Sequence, residues 1–538
     1  VSGSSLNRFR ADVFGKGSAD DLEYDKETGI DEANATAEQI MEYLMGKDNF
    51  GISSKYDGDL AYRIVVVRYA MLGNRFARYK EVKIATDVSD KTVAYVNEHM
   101  DTLSGISVNE DMIRKYNYSE YFSSIIGYTG PISESEYTAL HKKNKDYTQN
   151  DTVGKAGLEQ YYETYLRGKN GEQKFYIDNV GRISEIISST DSVAGDDLYL
   201  SIDADLQKAT YLALQNEIAA IVYSNIKSGE IPINDVYTAL IGNSVINTEH
   251  FSKSKASDTE KSVLSVFKSR QKTTLGKIKQ ELTSSPEALN TMSDEVLDEF
   301  TYIISMLKDD QVLLKNEIDT SDSVYQKWKD QKISPKEYLN YCITQHWIDI
   351  SQLNVDEKYA DSTEVYDALC KYILKNIKTD TEFSKIIYQY MITRGEISPR
   401  QLCLILFDQG VLDYDDATVN KLKNGSLSPR DFLMKKIYNI EITPAQLALE
   451  PCIGSCVVTD EKTGEIRAMV SYPGYDSNKL ANGVDSEYFA SLQHDKSSPL
   501  LNYATQQKTA PGSTFKLVSA TAGLAENVIT TSDQIRCT

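Results

Sequence analysis

Three textures follow one another along the chain. From residue 1 to about 190, short apolar runs alternate with acidic loops. The run Tyr62-Arg63-Ile64-Val65-Val66-Val67 reads as a strand or as the start of a buried helix, and Lys83-Ile84-Ala85 as a short strand. A helix is expected over 89–100 with Ser89 as its N-cap, because a serine just ahead of a periodic segment can accept the free N–H groups of the first turn. Residues 158–166 carry apolar and aromatic side chains at helical spacing and run into Gly168 and Gly171, glycines being suited to a helix end. Residues 175–177 read as a strand.

The second texture, 226–442, is helical almost throughout. Only 6 of the 29 glycines fall in it. Phe300, Ile303, Ile304 and Leu307 share one helical face, as do Val365, Leu369, Tyr372 and Ile373. Ser334-Pro335, Ser398-Pro399 and Ser428-Pro429 each precede a helical pattern, as a cap followed by a first-turn proline should. A packed bundle is expected, and no internal repeat stands out. The third texture, 443–538, returns to strands. Residues 454–459 and 465–471 are apolar runs joined by Asp460-Glu461-Lys462-Thr463-Gly464, a hairpin signal. A helix is expected from Ser513 to about Ala525. Residues 197–202 alternate like a strand, and Asp205 is expected to cap a helix striped by Tyr211, Leu214, Ile218, Ile221 and Val222. If that strand and helix share a sheet with the later hairpin, the helical stretch is an insertion between them.

At ~100–200 residues per domain, 538 residues make about three. The net charge of −21 argues against a nucleic-acid binder, and 27 basic against 33 acidic residues in 226–442 leave −15 for the remainder. The longest apolar runs (402–407 and 218–223) are six residues, against the ~20 needed to cross a bilayer. The chain starts without Met and stops in mid-pattern, which reads as a segment of a longer protein. Cys342, Cys370, Cys403, Cys452, Cys456 and Cys537 form no C-x-x-C pair and read as mostly buried free thiols. The five histidines are isolated, so no metal site is expected, and neither a Walker A loop nor G-x-G-x-x-G occurs. No cofactor is called for.

The chemistry concentrates in Lys508-Thr509-Ala510-Pro511-Gly512-Ser513-Thr514-Phe515-Lys516. Pro-Gly breaks the preceding chain, Ser513 sits at the mouth of a helix, and Lys516 follows three residues on, on the same face. A hydroxyl is a weak nucleophile and needs a base within reach. A lysine amine can serve when burial or nearby positive charge lowers its pKa, and free N–H groups at a helix start can help hold an oxyanion. The structural alternative is Ser513 as an N-cap with Lys516 solvated.

In its context this segment resembles the active-serine region of class B penicillin-binding proteins, the peptidoglycan D,D-transpeptidases. The resemblance includes Val457-Val458-Thr459-Asp460 and Thr463-Gly464-Glu465-Ile466-Arg467-Ala468-Met469, then Ser471-Tyr472-Pro473-Gly474-Tyr475-Asp476, then Asn502 and Ala504 before Pro511 to Lys516. Leu200-Ser201-Ile202-Asp203-Ala204-Asp205-Leu206-Gln207 resembles the opening of the family's catalytic domain. Ile126-Gly127-Tyr128-Thr129-Gly130 and Gly154-Lys155-Ala156-Gly157-Leu158-Glu159-Gln160-Tyr161-Tyr162-Glu163, followed by Leu166-Arg167-Gly168, resemble its non-catalytic pedestal. In that setting Gly127 and Gly130 suit tight turns, and Glu159 and Arg167 anchor local structure.

The resemblance implies an α+β fold: an elongated pedestal and a partial transpeptidase domain of the penicillin-binding/serine β-lactamase type, with a large all-helical insertion. The limits it implies are 1–190 pedestal, 191–225 start of the transpeptidase domain, 226–442 insertion and 443–538 transpeptidase domain continued. It implies catalytic Ser513 and Lys516, peptidoglycan stem peptides as substrate, acylation by β-lactams, and a membrane glycosyltransferase and other wall-synthesis proteins as partners. It also implies an extracytoplasmic position, anchored by a helix outside this chain. The family's Ser-x-Asn and Lys-Thr-Gly motifs follow the Ser-Lys pair and are not found here, so substrate-binding residues are left unnamed. Lys462-Thr463-Gly464 precedes the serine and sits in a hairpin turn, so it is rejected as the catalytic motif. A polypeptide of exactly these residues is therefore expected to be inactive. A serine β-lactamase or β-lactam sensor, and a non-catalytic wall-synthesis scaffold, are the alternative functions.

Overall fold

The computed structural model describes all residues except 1–2, 19–20, 26–27, 74–81, 104, 109–112, 150, 178–182, 285–286, 354, 356–360 and 535–538. Helices and short antiparallel strands mix along the chain, an α+β architecture. Two compact units form. One takes residues 1–113 and 167–196, the other 114–166 and 197–538.

In the first unit, Val13, Ala35, Ile40, Leu44 and Val65 form a small core. The 62–67 run lies inside a helix, Gly58–Gly73. Ser89 caps Asp90–Glu98 by accepting from Thr92 N–H. Residues 83–85 are not a strand, because no partner strand pairs with them among the described residues. The strand expected over 175–177 is part of Glu172–Ile177, which pairs with Ile183–Thr190.

In the second unit, Gly454–Thr459 and Ile466–Tyr472 form the expected hairpin. The long Ala204–Ser228 helix packs on it through Tyr211, Leu214 and Ile218, which meet Val470, Tyr472 and Cys456 in one cluster. Ile221 of the expected stripe faces solvent. Asp203, not Asp205, is the N-cap, accepting from Leu206 N–H. Residues 197–202 form no strand. This segment instead meets the hairpin at its end: Asp203 N–H donates to Arg467 O (2.9 Å) and Ser201 Oγ to Ile466 O (2.8 Å).

The segment 114–166 belongs to this unit. Its helix Ser119–Ile126 lies against the loop after the hairpin, where Gly474 approaches so closely that a Cβ would stand 1.9 Å from Glu120 O. Gly127 (φ +79°) is equally constrained, a Cβ there standing 2.0 Å from Ala156 O. The helix expected over 158–166 is broken at Tyr162 into Gly157–Tyr161 and Glu163–Leu166. Glu159 is buried; Arg114 pairs with it (3.1 Å) and Tyr116 Oη donates to it (3.2 Å). The Tyr116 hydroxyl is pushed up to about 12, chiefly by burial and then by the Glu159 charge.

Residues 226–442 fold as helices around one large apolar core. Ser334, Ser398 and Ser428 cap their helices with Pro in the first turn. The structure also reveals a recurrent corner. At seven helix junctions a residue with positive φ (Gly229, Ser244, Gln331, His346, Gly395, Gly425, Ile440) stands three positions before the next N-cap. The residue directly before each cap is apolar and turned into the core: Ile231, Ile246, Ile333, Ile348, Ile397, Leu427 and Ile442. The left-handed residue ends one helix, the apolar residue anchors the turn, and the cap starts the next.

Candidate active site

The chain leading to the Ser-Lys segment is tied down step by step. Ser471, near the end of the second hairpin strand, donates its hydroxyl to Leu501 O (3.3 Å) and accepts Tyr503 N–H (2.9 Å). Tyr503 Oη donates to Ser497 O (2.7 Å). Asn502 caps the short Tyr503–Gln506 helix and donates its side-chain amide to Ser124 O (3.0 Å). Beyond it, Gly512–Thr514 forms a 3₁₀ turn, with Gly512 at φ +59°, a conformation glycine adopts at least cost. The Phe515–Ala525 helix follows directly.

Ser513 is the middle residue of that turn and Lys516 the second residue of the helix. Both are exposed. Ser513 is not a cap: neither Pro511 nor Thr514, the cap positions of the turn and the helix, has a side-chain cap bond, and the Thr514 hydroxyl bonds to Pro511 O. The Ser513 hydroxyl is thus not committed to holding the backbone. Sequence spacing puts the two side chains on one face, about one turn apart, Ser513 in the 3₁₀ turn and Lys516 in the helix that follows. No hydrogen bond joins them. The helix itself buries no residue; Phe515, Leu517 and Val518 are more than half exposed.

Lys462-Thr463-Gly464 lies in the hairpin turn. The Asp460 carboxylate accepts Lys462 N–H (2.8 Å) and Thr463 N–H (3.0 Å), and Gly464 takes φ +76°. Those backbone bonds account for the tripeptide as a turn. Cys342, Cys370, Cys403 and Cys452 are buried free thiols, Cys456 is partly exposed and free, and Cys537 lies outside the described residues. Burial pushes Cys342 and Cys403 up to about 12, away from thiolate chemistry. Among the described residues no cluster of metal-ligating side chains occurs, and no helix is long and apolar enough to cross a membrane.

Sequence reasoning missed the residues that organise this region. Gln207, wholly buried in the first turn of the long helix, donates to Met469 O (3.0 Å) and Tyr121 O (2.8 Å) and accepts Met469 N–H (2.8 Å). It bonds Met469 as a neighbouring strand would. Tyr211 Oη donates to Glu120 (3.1 Å) and accepts Gly474 N–H (3.1 Å). Burial raises the Glu120 carboxyl above its ordinary range. Asn478 brackets Tyr116, accepting its N–H (2.8 Å) and donating to its carbonyl (3.0 Å). Periodicity places Tyr211 on the buried stripe without showing its hydroxyl bonds, and it marks neither Gln207 nor Asn478, polar residues that a single sequence would place in solvent.

Comparison with known proteins matches residues 17–200 to the penicillin-binding protein dimerisation domain and residues 454–538 to the penicillin binding protein transpeptidase domain, which contains Ser513. These two domains, in one chain, define a class: the chain belongs to the class B penicillin-binding proteins. Within that class it is similar to the peptidoglycan D,D-transpeptidase MrdA of Salmonella typhimurium strain SL1344, 29% identical over 157 residues (29% of this chain, 25% of the relative). It is also similar to penicillin-binding protein 2A of Bacillus subtilis strain 168, 35% identical over 136 residues (25% and 19%). The matched part is thus about a quarter or less of these relatives. Penicillin-binding protein 2B of Streptococcus pneumoniae strain 5204 aligns over 43% of this chain and 38% of its own at 19% identity, with a TM-score of 0.21, too low to carry an argument.

Proposed function

We propose that the whole protein is a peptidoglycan D,D-transpeptidase working through a Ser513 acyl-enzyme. The observation that carries this is the Ser513 hydroxyl, uncommitted to the backbone, one turn ahead of Lys516 inside the transpeptidase match. Lys516 takes the proton from Ser513 Oγ as it attacks the carbonyl between the two terminal D-Ala residues of a stem peptide. D-Ala leaves with a proton, and the amine of a second stem peptide resolves the ester to form a cross-link. β-Lactams acylate the same oxygen. In this reading 1–190 is the pedestal, 191–225 and 443–538 belong to the transpeptidase domain, and 226–442 is an insertion. The active site faces the extracytoplasmic side of the membrane, beside a membrane glycosyltransferase and other wall-synthesis proteins.

The test is labelling of the full-length protein with a fluorescent penicillin. The parent is expected to label stoichiometrically, and Ser513→Ala to lose all label while keeping the parental circular dichroism spectrum. Label persisting in the variant would place the nucleophile elsewhere. Rapid release of hydrolysed penicillin from the parent would identify a β-lactamase instead.

A further inference from the structure

The charge of the insertion is unevenly placed. Within a protein of net charge −21, residues 261–280 contain Lys261, Lys268, Arg270, Lys272, Lys277 and Lys279 and no Asp or Glu. All lie on one helix, Asp258–Thr283. Its apolar residues Val263, Phe267, Ile278 and Leu282 are buried in the core of the insertion. Arg270 is committed inward, to Glu295 (2.9 Å). Lys261, Lys268, Lys272 and Lys279 are exposed, and none forms an ion pair with a described residue. At 1.5 Å per residue the row from Lys261 to Lys279 is about 27 Å long.

A second helix extends the row. Ser362–Ile377 runs antiparallel beside the first: Gln271 Nε2 donates to Lys378 O (3.0 Å), and Tyr366 Oη donates to Leu282 O (2.6 Å). Gln271 and Leu282 therefore mark the flank of the first helix that faces the second, and Lys268, Lys272 and Lys279 lie between that flank and open solvent. On the second helix and its C-cap, Lys371, Lys375 and Lys378 stand at positions i, i+4 and i+7, opposite Leu369, Ile373 and Ile377, which point into the core. They too are exposed and unpaired among the described residues. Glu364 and Asp367 are exposed acids of this helix, seven and four residues before Lys371, and Tyr372 Oη, beside Lys371, donates to Asp310 (2.9 Å).

We propose that this lysine strip is a docking face for a linear polyanion carrying repeated phosphodiesters without bases, of the poly(glycerol phosphate) kind. Charge complementarity supplies the attraction: unpaired cations in a line release counterions from a polyanion with each contact. The positions between the lysines point to this occupant. Exposed Ser262, Ser265, Ser269, Thr273 and Gly276 interleave them, with Val266 as the exposed large apolar residue of this helix. A helix that lies in a lipid surface needs its apolar face free, and here that face is buried. Single-stranded nucleic acid is held by stacking on exposed aromatic rings, and the strip has none.

The test uses the purified 538-residue chain and fluorescently tagged poly(glycerol phosphate), with binding followed by anisotropy from 25 to 200 mM salt. The expected result is binding that weakens steeply with salt. Lys268→Gln/Lys272→Gln/Lys279→Gln/Lys375→Gln should weaken it at least tenfold at low salt and flatten the salt slope by about 3, at roughly 0.7 per lost contact. A control replacing Lys421, Lys423, Lys435 and Lys462 by Gln should bind as the parent does. Equal loss in both variants, no binding at 25 mM salt, or tighter binding to an RNA oligonucleotide or to phosphatidylglycerol vesicles would overturn the proposal.

Discussion

Glu299 and Gln207 show how much one buried polar residue can decide. Glu299 is 2% exposed and lies near Glu295, which Arg270 and Arg394 (2.6 Å) already satisfy. Burial first, then the Glu295 charge, push its carboxyl to about 8 from an ordinary 4.5. Between these values the folded chain holds a proton that the unfolded chain has released. Stability therefore falls as pH rises through the window, by up to ~1.4 kcal/mol per pH unit. Glu299→Gln keeps the shape without the charge. Its urea midpoint, followed by helical circular dichroism, should exceed the parent's at pH 7.5 and converge with it at pH 4. Gln207→Ala should do the reverse, leaving Met469 N–H, Met469 O and Tyr121 O short of partners at a cost of about 3 kcal/mol. A lower melting temperature and faster hydrogen exchange at the Met469 amide would register it. Neither residue was legible beforehand, because a sequence shows that a side chain is polar and not what it meets.

At the scale of elements, legibility followed the range of the forces involved. Ser89, Ser334, Ser398 and Ser428 were read correctly as caps, since a cap bonds to N–H groups two or three residues away. The 454–471 hairpin was legible for the same reason. The expected strands at 83–85 and 197–202 failed because a strand needs a partner, and partners are distant in sequence. The recurrent corner of the insertion leaves no fixed period in the sequence because helix lengths vary, and only Gly229, Gly395 and Gly425 supply glycine at the left-handed position. His346 occupies that position at φ +58° with its side chain exposed. His346→Gly should therefore raise stability by about 1 kcal/mol, read as a higher melting temperature, because left-handed backbone costs a non-glycine residue roughly 1–2 kcal/mol. A decrease would mean that the imidazole makes a compensating contact.

For the molecule as a whole, labelling at Ser513 and polyanion binding at the lysine strip are separable, since they involve different residues of different elements. A loss of one without the other is the expected pattern for each variant set. The sequence by itself determined the helical character of 226–442, the caps Ser89, Ser334, Ser398 and Ser428, and the Ser513–Lys516 spacing, all set by local periodicity and near-neighbour bonds. Tertiary structure alone decided that 114–166 packs with 197–538, where Gly474 meets Glu120 O and Asn502 meets Ser124 O. It also decided that Gln207 serves in place of a strand beside Met469 and that the two lysine-bearing helices run side by side. These depend on contacts between residues tens to hundreds of positions apart, whose geometry is set only when the intervening chain has folded.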